Sequence, residues 1–254
     1  MISELAILCT AAFAAGFIDA VVGGGGLIQI PVALVVLPQY PVATVIGSTK
    51  IPSFCGTSIA AYQYSRKVPL DYKRLALMGA IACAAAFTGS KLLTMVSNDF
   101  MKPFLLAVLS CVAIYTYTKK NFGIHSEKDH SELAHLVYSI LMSLILGFYD
   151  GFIGPGTGSF LILTFITLLG YDFLKASANA KFINLATNIG SIVLFTTSGK
   201  VLYQFALPMA ACNALGGFLG AKLAILRGNA FIRIFFLCVV IATMLRFAYD
   251  VFFK

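Results

Sequence analysis

The sequence predicts an all-α, polytopic integral membrane protein made of two pseudo-symmetric, inverted repeats. Composition excludes a soluble fold: residues are 59% hydrophobic and only 11% charged, whereas a soluble domain carries about 25% charged residues. Mean hydropathy is +0.91. Apolar runs near the ~20-residue spanning length recur at 4–22, 42–64, 75–96, 103–118, 133–153, 173–198, 202–226 and 230–253. The chain also repeats itself. Gly16-Phe17-Ile18-Asp19 leads into four glycines, and Gly147-Phe148-Tyr149-Asp150 leads into a second glycine cluster, at a shift of 131 (150 − 19). Lys50 and Lys181, and Gly89-Ser90-Lys91-Leu92 and Gly220-Ala221-Lys222-Leu223, keep the same shift. Such duplication is a signature of repeat-built membrane transporters.

The first repeat covers residues 1–118, a polar connector 119–131, and the second repeat 132–254. Each repeat reads as a spanning helix, a glycine break, a short apolar helix and three further spanning helices. The short helices, 27–37 and 159–169, are about 16–17 Å long at 1.5 Å per residue, well under the ~30 Å hydrocarbon thickness. Each is therefore expected to form half of a hairpin dipping into the membrane, which is tolerated only where protein or water satisfies its backbone. If the hairpin leaves on the side it entered, each repeat crosses three times, and an odd count inverts the second repeat. Arg66, Lys67, Lys73, Arg74, Lys119, Lys120, Lys128, Lys175, Arg227 and Arg233 then share one side, against Lys102, Lys200 and Lys254. A parallel arrangement gives about nine against four. The positive-inside rule thus favours inversion, with both termini outside. The first apolar run lacks a basic flank and leads straight into the repeat motif, so no cleavable signal peptide is expected.

The net charge of +8 does not point to nucleic acid, because Arg66-Lys67 and Lys73-Arg74 flank membrane segments. Cys9, Cys55, Cys83, Cys111, Cys212 and Cys238 are scattered through apolar runs without a C-x-x-C pair and read as small buried hydrophobes. His125, His130 and His135 lie in or beside the connector at five-residue spacing, off a common helix face. No metal or other cofactor is expected. The dinucleotide spacing fails at Ile28, no G-K-[ST] follows either glycine cluster, and no G-x-S-x-G is present, so neither nucleotide nor esterase chemistry is indicated. The chain is not expected to be an enzyme.

Lys50 and Lys181 lie eight or nine residues inside apolar runs. A charge near the bilayer centre costs at least about 2.5–3.5 kcal/mol. Two lysines at matching places point to a shared task, presenting positive charge to an anion, or to pairing with Asp19 and Asp150. The glycines strengthen the anion reading. Gly23, Gly24, Gly25 and Gly26, and Gly154, Gly156, Thr157 and Gly158, precede short helices whose N-termini offer free N–H groups and partial positive charge to an oxyanion. Asn184 and Asn188 share a helix face with Lys181, as Ser53 and Thr57 do with Lys50, and supply neutral hydrogen-bond donors. Asp19 and Asp150 are candidates for proton or ion coupling, or fixed counter-ions. Lys91 and Lys222 read as snorkelling residues, and Arg246 and Asp250 as a simple pair. Pro52 is expected to break the helix that carries Lys50.

At these residues the chain resembles the TauE/SafE family of sulfite and organosulfonate exporters. The matches are Gly16-Phe17-Ile18-Asp19 with Gly23 to Ile28 and Pro31, Gly151 to Gly158, and Ala180-Lys181-Phe182-Ile183-Asn184 through Gly190. The resemblance implies a multi-pass protein of the bacterial cytoplasmic membrane. It would export small sulfur-containing anions, such as sulfite, sulfoacetate or related organosulfonates, by alternating access as a secondary transporter. Its partners would be the anionic substrate and the lipid bilayer. Thr49 departs from the family's usual Asn before the first lysine. The alternative is a proton-coupled carrier of cations or zwitterionic amino acids, with Asp19 and Asp150 as ligands.

Overall fold

The computed structural model describes residues 2–101, 104, 108 and 131–252, with the side chains of all but 230, 233 and 236–252. Its described helices are α1 (Ile2–Val22), α2 (Gly26–Val36), α3 (Val42–Ser65), α4 (Tyr72–Met95), α5 (Glu132–Phe152), α6 (Thr157–Leu169), α7 (Phe173–Thr197) and α8 (Tyr203–Phe252). The chain is an all-helical, polytopic membrane protein. Four helical stretches, Ile2–Val22, Tyr72–Met95, Glu132–Phe152 and Tyr203–Asn229, are apolar and long enough to cross a bilayer. Helices α3 and α7 match them in length, 24 and 25 residues, but carry the buried lysines. Most of the run expected at 103–118, most of the connector, and the side chains of Arg233, Arg246 and Asp250 lie outside what is described.

Helix starts follow local chemistry. Asp71, Ser131 and Asp172 accept hydrogen bonds from the backbone N–H of Arg74, Ala134 and Lys175, each covering one otherwise unpaired amide of a first turn. The last two expected runs are two helical segments of α8 that meet at a kink at Gly228, where φ is 69°. Helix α3 differs from expectation, because it runs unbroken through Pro52. Pro52 removes a single N–H, and α3 is held by packing on both sides of it. Ser48, one turn earlier, accepts from the Leu202 N–H at 2.8 Å, and Gly56, one turn later, lies against Asn213.

Helix directions follow from the contacts. Phe13 and Phe17 of α1 meet Gly216 and Gly220 of α8, so these two run parallel. Helix α3 also runs with α8, through Gly56 on Asn213 and Gln63 donating to the Phe218 carbonyl. In the same way α4 runs parallel to α5, with Gly89 on Phe148, and to α7, with Cys83 on Gly190. Helices α3 and α7 cross antiparallel, Gly47 meeting Phe195 and Tyr64 meeting Ser177. Thus α1, α3 and the part of α8 before Gly228 point one way, while α4, α5 and α7 point the other. Helix α2 folds back along α1, since Leu8 and Ala12 share a buried cluster with Ala33 and Leu37.

The two glycine turns meet at the centre. Ser159 donates its backbone N–H to the Gly23 carbonyl at 2.9 Å and its hydroxyl to the Val22 carbonyl. Gly23 has φ +79°, and a Cβ on it would overlap the Gly158 backbone. Gly23→Ala is therefore expected to destabilise the fold by more than the roughly 1–2 kcal/mol of left-handed strain alone. Gly24→Ala, whose Cβ would make ordinary contacts at 3.5 Å or more, should stay within about 0.5 kcal/mol of wild type. Thermal unfolding of both variants in detergent checks the contrast.

Candidate functional site

The first broken helix of each half ends inside the bundle. The last carbonyls of any helix lack intrahelical partners and carry partial negative charge, so each broken end needs a donor. At each aspartate a lysine from the far part of the chain adds one to the local donors. Lys50 of α3 donates to Asp150 Oδ2 at 2.9 Å and to the Asp150 main-chain carbonyl at 2.7 Å, near the end of α5. Lys181 of α7 donates to Asp19 Oδ2 at 2.9 Å and to the Asp19 carbonyl, near the end of α1. Each ammonium neutralises a carboxylate and caps a helix C-terminus at once. Both readings of the lysines thus meet in one place: they are paired, and the pairs border a cavity.

That cavity is a polar cleft between α1, α2, α3, α7, α8 and the second glycine turn, with an empty volume of about 460 Å³ including its open mouth. Of the residues singled out from sequence, Asp19, Gly23, Gly25, Gly26, Lys50, Ser53, Thr57, Asp150, Gly154, Gly156, Thr157, Gly158, Asn184 and Asn188 line it. Gly24 and Lys181 do not. The Lys181 side chain is fully enclosed behind Asp19, whose own side chain is 18% exposed. The Lys50–Asp150 pair is 5% exposed on each side chain and borders the cleft directly. A lysine ammonium has three donors, so two bonds to Asp150 leave Lys50 one N–H to offer.

The neutral groups are partly committed. Asn188 Nδ2 donates to Asn184 Oδ1 at 2.8 Å, Thr157 Oγ1 donates to the Gly154 carbonyl, and Thr57 Oγ1 lies 3.4 Å from Asp19 Oδ2. The Ser159 N–H, in the first turn of α6, is occupied by Gly23. Gly158 and Gly23 therefore serve close backbone packing as well as lining the cleft. Sequence reasoning missed Gln29, Thr49 and Asn213, which also line it. Gln29 carried a signal: it is the lone polar side chain in the α2 sequence GLIQIPVALVV.

Against known proteins, the family model for the sulfite exporter TauE/SafE matches residues 8–247. The chain belongs to the TauE/SafE family. Similar proteins include the probable membrane transporter protein ORF9 of a Sinorhizobium species, 36% identical over 97% of this chain and 93% of that protein. A probable membrane transporter protein of Haemophilus influenzae is 34% identical over 91% of this chain and 89% of its own length. The probable membrane transporter protein YfcA of Escherichia coli is 34% identical over 90% and 84%. No solved structure matches. The resemblance carried by the glycine and lysine motifs is thereby shown: this TauE/SafE protein is a membrane transporter, not an enzyme, and a multi-pass protein of the bacterial inner membrane.

The Lys50–Asp150 pair has a testable energetic signature. Breaking a buried pair by removing one partner costs about 3–5 kcal/mol, whereas replacing both with apolar groups of similar volume is often neutral. Asp150→Leu alone should lower the unfolding midpoint strongly, and Lys50→Met with Asp150→Leu should recover most of the loss. A double-mutant cycle by chemical unfolding reads the coupling; additive losses would contradict pairing.

Proposed function

We propose that this chain is a secondary transporter exporting small sulfur-containing anions, such as sulfite, sulfoacetate or related organosulfonates, by alternating access. The observation that carries the reading is Lys50, a buried ammonium with one donor left over, bordering a polar cleft in a family of sulfite exporters. An oxyanion seated there adds negative charge beside Lys50 and draws neutral donors from Ser53, Asn184 and Asn188, with the Gly25, Gly26, Gly154 and Gly156 backbone close by. Asp19 and Asp150 are the coupling groups, released from their lysines as the anion takes their place.

The two halves are proposed to be inverted repeats. Supporting this are the 131-residue sequence shift, the opposite directions of α1 and α5, and the reciprocal lysine–aspartate exchange. In the opposite-facing state the pairs exchange roles: Lys181 borders the open cleft and Lys50 is enclosed. Arg66, Lys67, Lys73, Arg74 and Lys175 cluster at the end of the bundle where α3 finishes and α4 and α7 begin, which supports a cytoplasmic position for that end.

Lys50→Ala is expected to abolish sulfite and sulfoacetate flux in proteoliposomes and to lower the unfolding midpoint, since it breaks the buried pair with Asp150. The Lys50→Met, Asp150→Leu double variant, expected to recover the stability, should be equally inactive. A carrier of cations or zwitterions would give the reverse pattern, with Asp19→Asn and Asp150→Asn abolishing binding and Lys50→Ala sparing it.

A further inference from the structure

The cleft is lopsided, although the sequence around it is duplicated. Residues related by the 131-residue shift mostly share their chemistry: Asp19 with Asp150, Lys50 with Lys181, Ser53 with Asn184, Thr57 with Asn188. Gln29 and Asn213 depart from this. The position matching Gln29 holds Phe160, and the position matching Asn213 holds Ala82. Both amides are nonetheless buried, 1% and 3% exposed, and both line the cleft. Asn213 Nδ2 donates to Gln29 Oε1 at 2.9 Å, which fixes the Gln29 carboxamide with its nitrogen turned the other way. That nitrogen lies 3.5 Å from the Thr49 carbonyl, one residue before Lys50. This is the outer limit of a hydrogen bond, so its protons are poorly used. Asn213 itself cannot drift, being wedged against the backbones of Gly16 and Gly56.

We infer that Gln29, oriented by Asn213, is the neutral donor that selects an oxyanion at the Lys50 seat. The inference rests on the anion reading above and deepens it. An ammonium attracts any small anion, whereas an oriented amide N–H rewards only one that places an oxygen lone pair at the right point. A site holding a buried polar group discriminates against ligands that leave it unpaired. Gln29 touches substrate, and Asn213 is a positioning residue acting through it.

The test uses the purified full-length protein in proteoliposomes. Gln29→Met keeps side-chain length and removes the donor. It should raise the KM for sulfite and sulfoacetate about tenfold, the scale of one hydrogen bond to a charged group. Inhibition by bromide, which has no oxygens to orient, should change less than twofold, whereas the melting temperature of the unliganded protein should fall, because the buried Asn213 amide loses its acceptor. Asn213→Ala should shift the oxyanion-to-bromide ratio in the same direction by a smaller factor. Gln29→Glu, which fits the same space but sets a carboxylate beside Lys50, should lose anion transport at neutral pH; this variant decides the matter if Gln29→Met fails to fold. An unchanged sulfite KM in folded Gln29→Met, with Lys50→Ala inactive, overturns the inference and leaves the anion reading standing. Undiminished flux in Lys50→Ala overturns both.

Discussion

The structure depends on two ammonium groups that each bridge a carboxylate and a helix end contributed by the opposite half of the chain. A helix that stops inside a bilayer exposes carbonyls with no water to receive them, and a carboxylate placed nearby adds a full negative charge. Lys50 and Lys181 resolve both problems with single atoms. The solution is mutual. The charge on each aspartate is met by a lysine from the far part of the chain, Lys181 for Asp19 and Lys50 for Asp150, so these contacts also hold the two parts together. Coulomb attraction between buried charges is strong, but so is the cost of taking them out of water, so the net stabilisation is a small difference between two large terms.

Around those bridges the bundle is assembled from unusually close helix approaches. Gly16, Gly56, Gly89, Gly151, Gly190, Gly216 and Gly220 each lie where a Cβ would overlap a neighbouring carbonyl. Lipid tails offer no hydrophobic drive for helix association, so close van der Waals contact between small residues carries it. The approach also brings α1, α3 and α8 near enough for Asn213 to reach the centre of the molecule.

Much of this was legible in the sequence, for physical reasons. Apolar run length located the four spans found among the described residues, and the glycine clusters located the breaks, because hydrocarbon thickness and backbone freedom act on short stretches of chain. The shift relating Asp19 to Asp150 and Lys50 to Lys181 marked the residues that meet at the site. Their partners were harder to see. Lys50 pairs with Asp150 across 100 residues, a choice fixed by how the halves dock. The sealing of Lys181 behind Asp19 is a matter of packing for the same reason. Pro52 misled because the rule for proline concerns an isolated helix, and α3 is braced on several sides. Gln29 and Asn213 escaped notice because they sit where the two halves differ, and a search guided by internal similarity passes over such positions.

The contact between Gly23 and Ser159 is made of main chain on one side and a backbone amide on the other. A plug of side chains can swing aside with a rotamer change, admitting water and protons for a moment. A seam of peptide groups moves only when whole helices move. The meeting of the two turns ties the end of α1 to the start of α6 largely through main chain, so a relative movement of these helices there cannot be made by one side chain alone.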